Sequence, residues 1–248
     1  MTPAASSSAG KGRFAVVIPV FNHGQTAPVV ARKALSLGCP VFAVDDGSTD
    51  GGHARLGKVP GLTVLRHRHN QGKGAALLTG MRAAAPVADW AITLDADGQH
   101  DPAEAQRLMG AIQQGQRPLV IGCRQDMRAA RAPWTSRFGR EFSNFWVRIS
   151  GGPKVTDSQS GFRIYPLPEA LHLPVKARRF AFEVEILVKA CWQGLPVVEQ
   201  PVGVDYRPGG GRISHFHPFF DFMRNFGLFA RLITTRVLVH PFVRRSRP

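Results

Sequence analysis

Four short apolar runs alternate with helical patterns in the first hundred residues of the chain. The runs are Phe14–Val20, Val41–Val44, Leu62–Leu65 and Trp90–Leu94. Helical patterns over Ala27–Leu37 and Gly74–Ala85 lie between them. A chain in which strands alternate with helices forms a mostly parallel sheet with helices on both faces. The pattern therefore predicts an α/β fold whose ligand site lies beyond the carboxyl ends of the strands.

Polar side chains gather at that predicted edge of the sheet. Three runs end in side chains of this kind: Asn22, Asp45 with Asp46, and Asp95 with Asp97. Residues two apart in an extended chain point to the same side, so Asp95 and Asp97 can converge on one point. With the carbonyl oxygen of Gln99 they form a set of hard ligands that suits Mg²⁺ or Mn²⁺ bridging a diphosphate. The alternative is a solvated acidic turn ahead of a helix that starts at Pro102.

Other interpretations stay open for two more stretches. Asp45 and Asp46 can belong to a turn in which Ser48 caps a helix, or their carboxylates can recognise a nucleotide base or ribose. Gly72 and Lys73 open a helix where backbone N–H groups can approach a phosphate, although the stretch is not a Walker A motif. A tight turn from strand to helix explains the same glycine.

The histidines and cysteines give no sign of a further metal site. His67 and His69 have no carboxylate or thiol placed to complete a site, so both are expected to be exposed loop residues. The three cysteines lack the short spacing of a zinc or redox pair, which favours buried thiols in a reducing cytoplasm.

The net charge of +15 admits nucleic acid, an anionic membrane or a phosphorylated substrate as partner. Nucleic acid is not expected, because the central acids would lie where its backbone must approach and no recognition motif is present. No apolar run approaches the roughly 18 residues of a membrane-spanning helix, so none is expected.

The C-terminal part of the chain is both basic and aromatic. From Arg207 to Pro248 there are eight arginines and one acid. One side of a helix can be covered by Phe219, Phe220, Phe222, Met223, Phe226, Phe229, Leu232 and Ile233. Such a C-terminal amphipathic helical segment can lie in the headgroup zone of an anionic membrane. The alternative is a helix that packs on the protein's own core or on a partner, such as an integral-membrane protein.

A series of motifs runs in order along the chain. It comprises Ile18–Asn22, Asp45–Ser48, Gly72–Ala75, Asp95–Asp97, Gly122–Arg124, Asp157 with Gly161–Arg163, Glu185, and Glu199-x-Pro201 leading to Arg207. This series resembles glycosyltransferase family 2, and within it the dolichyl-phosphate and polyprenyl-phosphate mannosyl- and glucosyltransferases. The resemblance covers Phe14 to about Ser214. It implies a Rossmann-like nucleotide-diphospho-sugar transferase fold of the GT-A type.

The resemblance also implies roles for individual residues. The nucleotide pocket would be lined by Pro19, Phe21, Asn22 and Asp46. Asp95 would contact the ribose-diphosphate part of the donor, whereas Asp97 and Gln99 would hold the metal ion. Phosphate contacts are implied for three arginines: Arg124, Arg163 and Arg207.

The implied reaction transfers a hexose from a nucleotide-diphospho-sugar to a membrane lipid, with inversion at C1 and with Mg²⁺ or Mn²⁺. A polyprenyl phosphate is the favoured acceptor, because arginines cluster where the acceptor should enter. The alternative is a hydroxyl on a specialised bacterial lipid or a polyketide-type product. A hydroxyl must lose a proton whereas a lipid phosphate is already ionised, and the candidate bases are Asp157 and Glu185.

The chain departs from the family pattern in three places. His23 replaces the acid that usually follows the first motif, and Ser214-His215 replaces a closing Ser-Lys pair. The paired C-terminal transmembrane helices of some relatives are not expected here. We expect a disordered tail over residues 1–12, a catalytic domain over residues 13–214 and a basic amphipathic segment over residues 215–248. The expected location is cytoplasmic, peripheral at the inner face of the membrane.

Overall fold

The computed structural model describes residues 12–124, 134–179, 181–204 and 218–238, with side chains described in these ranges except at residues 134–138 and 218–226. Its strands are β1 Phe14–Val20, β2 Val41–Asp45, β3 Leu62–Arg66, β4 Trp90–Thr93, β5 Leu119–Arg124, β6 Arg163–Pro166 and β7 Val197–Val202. Its helices are α1 Ala27–Leu35, α2 Gly52–Leu56, α3 Lys73–Ala84, α4 Ala105–Gly110, α5 Trp134–Ile149, α6 Glu169–His172, α7 Phe182–Trp192 and α8 Pro218–Leu238. A 3₁₀ turn at Pro102–Glu104 precedes α4.

The strands form one sheet in the order β3-β2-β1-β4-β6-β5-β7. β1 pairs in parallel with both β2 and β4, and β2 pairs in parallel with β3. Val20 at the end of β1 pairs with Asp45, so the carboxyl ends of β1 and β2 meet at one edge. β6 is antiparallel to β4 and β5, because the chain enters it from this same edge after Gly161. The predicted mostly parallel sheet is confirmed.

Both faces of the sheet are covered by apolar side chains. On one face α3 and α7 bury residues such as Leu77 and Leu187, and on the other α1, α2 and α4 bury residues such as Val30, Leu56 and Leu108. Each fully buried side chain of this size contributes about 1.5–3 kcal/mol. The two layers hold the sheet rigid, so that the loops at its edge have fixed starting points.

One side of the described part of α8 packs against the protein. Phe229 and Leu232 are buried, and the ring of Phe229 stacks on that of Trp146 with 5.9 Å between centroids. Arg231 Nη2 lies 2.9 Å from the buried Glu185 Oε1. This part of the helix therefore differs from the expected lipid-facing arrangement, because its apolar side covers the core. The other aromatic side chains named for this segment, from Phe219 to Phe226, lie outside the described side chains. No helix within the described ranges is long and apolar enough to cross a membrane.

Candidate active site

The loop after β1 is tied to the turn after β2. Asn22 donates its backbone N–H to Ser48 Oγ at 3.0 Å, and its Oδ1 accepts from Thr49 N at 2.9 Å. Asn22 has a φ of 55°, a left-handed conformation that asparagine adopts more readily than most residues. Pro19 and Phe21, on either side of the end of β1, lie half-buried at the same edge. The structure thus brings these three predicted nucleotide-pocket residues together.

Asp46 is buried and organises the turn that leads into α3. Its Oδ1 accepts from Gln71 N at 2.9 Å and its Oδ2 from Gly72 N at 2.8 Å. His67 Nδ1 also lies 2.7 Å from Oδ1, and the other ring nitrogen lies 3.0 Å from Thr79 Oγ1. The expected exposed position of His67 is therefore wrong, because its ring is clasped between two partners. Asp46 holds the loop with contacts to backbone and imidazole.

Asp45 is fully buried at the end of β2. Its Oδ1 accepts from Ser48 N at 2.9 Å, as in a turn. Its Oδ2 lies 3.3 Å from Arg66 Nε and 3.5 Å from His53 Nδ1. Oδ1 is therefore hydrogen-bonded within the turn, whereas Oδ2 faces Arg66 and His53 without forming a hydrogen bond to either.

Gly72 and Gly74 allow two parts of the chain to approach closely. A Cβ at Gly72 would lie 2.5 Å from Arg178 O, and one at Gly74 would lie 2.5 Å from Phe182 Cβ. Gly72 also has a φ of 101°, which side chains with a Cβ rarely adopt. These glycines bring the start of α3 against the start of α7, which makes the tight turn the better interpretation of this motif.

Lys73, the first residue of α3, lies between two acids. Its Nζ is 2.6 Å from Asp95 Oδ1 and 2.7 Å from Glu183 Oε1. Burial lowers the pKa of Lys73, but the two carboxylates outweigh it and hold that pKa above its ordinary value. Burial likewise opposes ionisation of Asp95, yet the Lys73 ammonium holds the pKa of Asp95 below its ordinary value. The three groups form a charged cluster directly beyond β4.

Asp97 is the exposed acid of the stretch after β4. Its Oδ1 accepts from Gln99 N at 3.0 Å, which closes a tight turn. The protein around Asp97 and the nearby charge of Asp95 raise the pKa of Asp97. His100 is buried on the ring of Phe162, 5.2 Å between centroids, and burial lowers the pKa of His100.

The residues after β4 provide oxygen atoms that could bind a divalent cation. Among the described residues there is no group of three His, Cys, Asp or Glu side chains that could hold a metal ion. Asp95, Asp97 and the amide of Gln99 nevertheless offer hard oxygen donors within five residues. The pKa of Asp97 is raised first by desolvation and then by the negative charge of Asp95, and a cation at this place would offset both. The donor set fits a divalent ion that a diphosphate also binds.

Arg124 and Asp157 pair with one another at the end of β5. Arg124 Nε and Nη2 lie 2.6 and 2.8 Å from the two oxygens of Asp157, a bidentate arrangement. Burial opposes ionisation of Asp157, but Arg124 holds the pKa of Asp157 below its ordinary value. Glu199 Oε1 accepts from Thr156 N at 2.7 Å and from Asp157 N at 3.1 Å, which fixes the loop.

Arg163 and Glu185 lie in the interior, and this differs from their expected roles. Arg163 donates to three backbone carbonyls, those of Ser158, Ser160 and Glu183, at 2.7 to 2.8 Å. Its guanidinium braces the protein instead of facing a phosphate at the surface. Glu185 Oε2 accepts from Lys176 N at 3.1 Å and from Ala177 N at 2.7 Å, and its other oxygen pairs with Arg231. Arg207, the remaining predicted phosphate contact, lies outside the described residues.

Sequence reasoning missed Glu183, Glu199 and His100. Glu183 meets Lys73 from a distant part of the chain, and no local pattern marks that meeting. Glu199 belongs to the motif Glu199-x-Pro201, whose spacing does not indicate a role for the glutamate. His100 directly follows Gln99, and its place in an acidic stretch was the only available signal.

The α/β sheet and its polar edge define a nucleotide-sugar transferase fold. The model of the glycosyl transferase family 2 matches residues 15–167. A polyprenol monophosphomannose synthase of Mycolicibacterium smegmatis is 29% identical over 211 residues, 77% of this chain and 76% of that protein. An undecaprenyl-phosphate mannosyltransferase of Micrococcus luteus is 29% identical over 203 residues, 77% of this chain and 82% of that protein.

A solved structure shares the fold. Glucosyl-3-phosphoglycerate synthase of Mycobacterium tuberculosis, in complex with Mn²⁺, uridine diphosphate and glucosyl-3-phosphoglycerate, has a TM-score of 0.61 at 18% identity and covers 92% of this chain and 80% of that one. The GT-A type of nucleotide-diphospho-sugar transferase fold is confirmed. The chain belongs to glycosyltransferase family 2 and is a glycosyltransferase.

Proposed function

We propose that this enzyme transfers a hexose from a nucleotide-diphospho-sugar to a polyprenyl phosphate, with inversion at C1 and with a divalent cation. The observation that carries the proposal is the pair of acids beyond β4. Lys73 holds Asp95 at 2.6 Å, while Asp97 remains exposed beside it. This arrangement suits a donor whose diphosphate and cation arrive together.

Asp97 and Gln99 would hold Mg²⁺ or Mn²⁺, and Asp95 would face the ribose-diphosphate part of the donor. When bound, the cation would stabilise the negative charge that develops on the leaving nucleoside diphosphate. With all groups ionised, Lys73, Glu183, Asp95 and Asp97 carry a combined charge of −2, which one divalent ion neutralises. Pro19, Phe21 and Asn22 would lie along the nucleotide at the same edge.

The contacts of the two candidate bases, Asp157 and Glu185, support a phosphate acceptor. Asp157 is paired through both oxygens with Arg124, and Glu185 is buried in contact with α8. Neither carboxylate is placed in this structure to take a proton from a hydroxyl. A lipid phosphate is already ionised at neutral pH and needs no base. Arg124 remains our candidate for a phosphate contact at the mouth of the site.

The names of the relatives agree with this acceptor. The synthase from Mycolicibacterium smegmatis is named for polyprenol monophosphomannose, and the transferase from Micrococcus luteus for undecaprenyl phosphate. Both cover more than three quarters of this chain. We therefore favour a polyprenyl phosphate over a lipid hydroxyl or a polyketide-type acceptor.

A lipid acceptor requires access to a membrane, and we propose that the protein lies at the inner face of the membrane. Phe145 and Ile149 on α5 and Val237 and Leu238 on α8 are 42–62% exposed. Arg236 Nη1 donates to Ile149 O at 2.6 Å, which brings the ends of the two helices together. Exposed apolar side chains beside arginines suit the headgroup zone of an anionic bilayer. Flotation of the full chain with anionic vesicles should weaken when Phe145 and Val237 are both changed to Ser, and unchanged flotation would refute this surface.

The test of the proposed reaction is a matrix of donors and acceptors. GDP-mannose and UDP-glucose are each incubated with Mn²⁺ and with either a polyprenyl phosphate or the matching polyprenol. We expect product with the phosphate and one of the donors, and loss of product when the metal is chelated. Full activity with polyprenol and none with the phosphate would overturn the proposed acceptor.

A further inference from the structure

We infer that Glu183 is a positioning residue for Asp95 and that it acts through Lys73. This inference rests on the proposed function, since it concerns how the enzyme prepares its donor site. Lys73 Nζ lies 2.7 Å from Glu183 Oε1 and 2.6 Å from Asp95 Oδ1, so one ammonium is shared by two carboxylates. The shared ammonium fixes the position of Asp95 Oδ1 at the edge of the sheet where the donor is proposed to bind.

The cluster is built by three elements that are distant in sequence. Lys73 begins α3, Glu183 lies in the first turn of α7, and Asp95 follows β4. Gly72 and Gly74 permit the approach of α3 to α7, because a Cβ at either would lie 2.5 Å from an atom of residues 178–182. The Gly-Lys-Gly motif therefore places Lys73 within reach of Glu183.

Gly161, which precedes β6, is the fourth part of the chain that contacts the cluster. A Cβ there would lie 2.5 Å from Asp95 Oδ2 and 2.7 Å from Lys73 Nζ. Thr93 Oγ1 donates to Gly161 O at 2.7 Å and holds this backbone in place. Asp95 is thus confined by backbone on one side and by a shared charge on the other.

Arg163, buried next to the cluster, holds two of its backbone segments together. Its Nη1 donates to Glu183 O at 2.8 Å and its Nε to Ser160 O at 2.7 Å. One guanidinium thereby joins the start of α7 to the residue before Gly161. This contact explains why an arginine is buried next to the site without facing it.

Without the charge of Glu183, the ammonium would face Asp95 alone. Asp95 would then be drawn toward Lys73, and its charge would be offset more completely. Both changes weaken the attraction of this edge for a cation. Asp95 lies beside the proposed ligands Asp97 and Gln99, and residues around the ligands of a metal that do not touch it typically change its affinity by about 10–100-fold when they are removed.

The test measures Mn²⁺ binding to the full chain by electron paramagnetic resonance of free Mn²⁺, in the presence of UDP and separately of GDP. Glu183→Gln should weaken Mn²⁺ binding about tenfold. Glu183→Asp, which keeps the carboxylate, should fall between Glu183→Gln and the unaltered protein. Glu169→Gln is the matched control, because it neutralises a carboxylate paired with Arg117 at the other end of the sheet and should leave Mn²⁺ binding unchanged.

The outcomes separate this inference from the proposed function. Equal Mn²⁺ binding by Glu183→Gln and the unaltered protein would overturn the positioning role while leaving the proposed function intact. Absence of Mn²⁺ binding by the unaltered protein with either nucleotide would overturn both.

The unfolding midpoint Tm provides a second measurement that does not need the metal. Glu183→Gln should lower Tm in the unaltered protein, because Lys73 loses a partner. It should raise Tm in a Lys73→Met background, where Glu183 and Asp95 would otherwise face each other without a cation. An equal fall in both backgrounds would show that Glu183 does not act through Lys73.

Discussion

Two pairs of acids lie at the carboxyl ends of β2 and β4, the strands that flank β1, and the protein uses the pairs differently. Asp45 and Asp46 are both buried, and their oxygens accept from or face the protein's own donors. Asp95 is held by Lys73, whereas Asp97 is exposed and carries a raised pKa. An acid after a strand is therefore not by itself a ligand. What separates the two pairs is how closely the protein encloses the carboxylates: Asp45 and Asp46 are buried, although Asp45 Oδ2 makes no hydrogen bond with a described residue, whereas Asp97 is exposed.

Spacing contributes to this difference. Adjacent residues point to opposite sides of an extended chain, so Asp45 and Asp46 bind different neighbours. One faces Ser48 and Arg66, and the other faces the turn before α3. Asp95 and Asp97 are two apart, and the charge of Asp95 is close enough to raise the pKa of Asp97. The comparison predicts that the first pair supports the fold and the second pair supports catalysis.

The largest effect is expected at Asp97. Asp97→Asn should lower kcat/KM for sugar transfer on the order of 10³-fold, equivalent to about 4 kcal/mol, because a charge that stabilises the leaving group through the cation is lost. The free energy of unfolding should not fall, since the asparagine can still accept from Gln99 N and the crowding of charge is relieved. Asp101→Asn is the control, an exposed acid of the same stretch. If Asp97→Asn transfers sugar at the normal rate, the acids after β4 do not support catalysis as proposed.

The next effect is expected at Asp46, and it concerns stability. Asp46→Asn should lower the free energy of unfolding by about 3 kcal/mol, because the buried N–H of Gly72 and the partly buried N–H of Gln71 would lose a charged acceptor. Urea unfolding followed by tryptophan fluorescence measures the change, with Asp97→Asn as the contrast. If Asp46→Asn is as stable as the unaltered protein, its carboxylate is not the support that the geometry indicates.

Local sequence patterns were sufficient to predict the sheet and its polar edge. Apolar runs and helical periods are local signals, and the carboxyl ends of parallel strands must meet at one edge. The reversed direction of β6 has no such signal, because it depends on where the chain returns after Gly161. Asn22, Asp46, Asp95 and Asp97 therefore lie at the predicted edge, whereas the contacts of Asp46 with His67 and of Asp95 with Lys73 were not predicted.

Arg163 and Glu185 illustrate why roles are harder to predict than positions. Both lie in motifs that the family resemblance highlights, yet both are buried and occupied by backbone groups. The meeting of Lys73 with Glu183 depends on the close packing of α3 on α7 through two glycines. A contact of this kind arises from tertiary packing and cannot be predicted from the sequence of either segment alone.

A smaller effect is expected at Asp157, where the contribution of the carboxylate to stability should depend on pH. Asp157 is buried like Asp46 but paired with one guanidinium, and its pKa in the folded protein lies below the ordinary value because Arg124 outweighs burial. A depressed pKa means that the ion pair stabilises the fold fully above the unfolded-state pKa of about 4 and that this stabilisation is lost as the pH falls through the folded-state pKa.

Asp157→Asn should therefore lower the free energy of unfolding by about 2 kcal/mol at pH 7, and the difference from the unaltered protein should shrink below about pH 4. Urea unfolding at a series of pH values measures both quantities. Asp97→Asn should show the opposite trend, since a raised pKa makes the ionised form costly at neutral pH and the asparagine relieves that cost. If the two variants respond to pH in the same direction, the contacts that neighbouring residues make with each carboxylate do not explain the difference between Asp157 and Asp97.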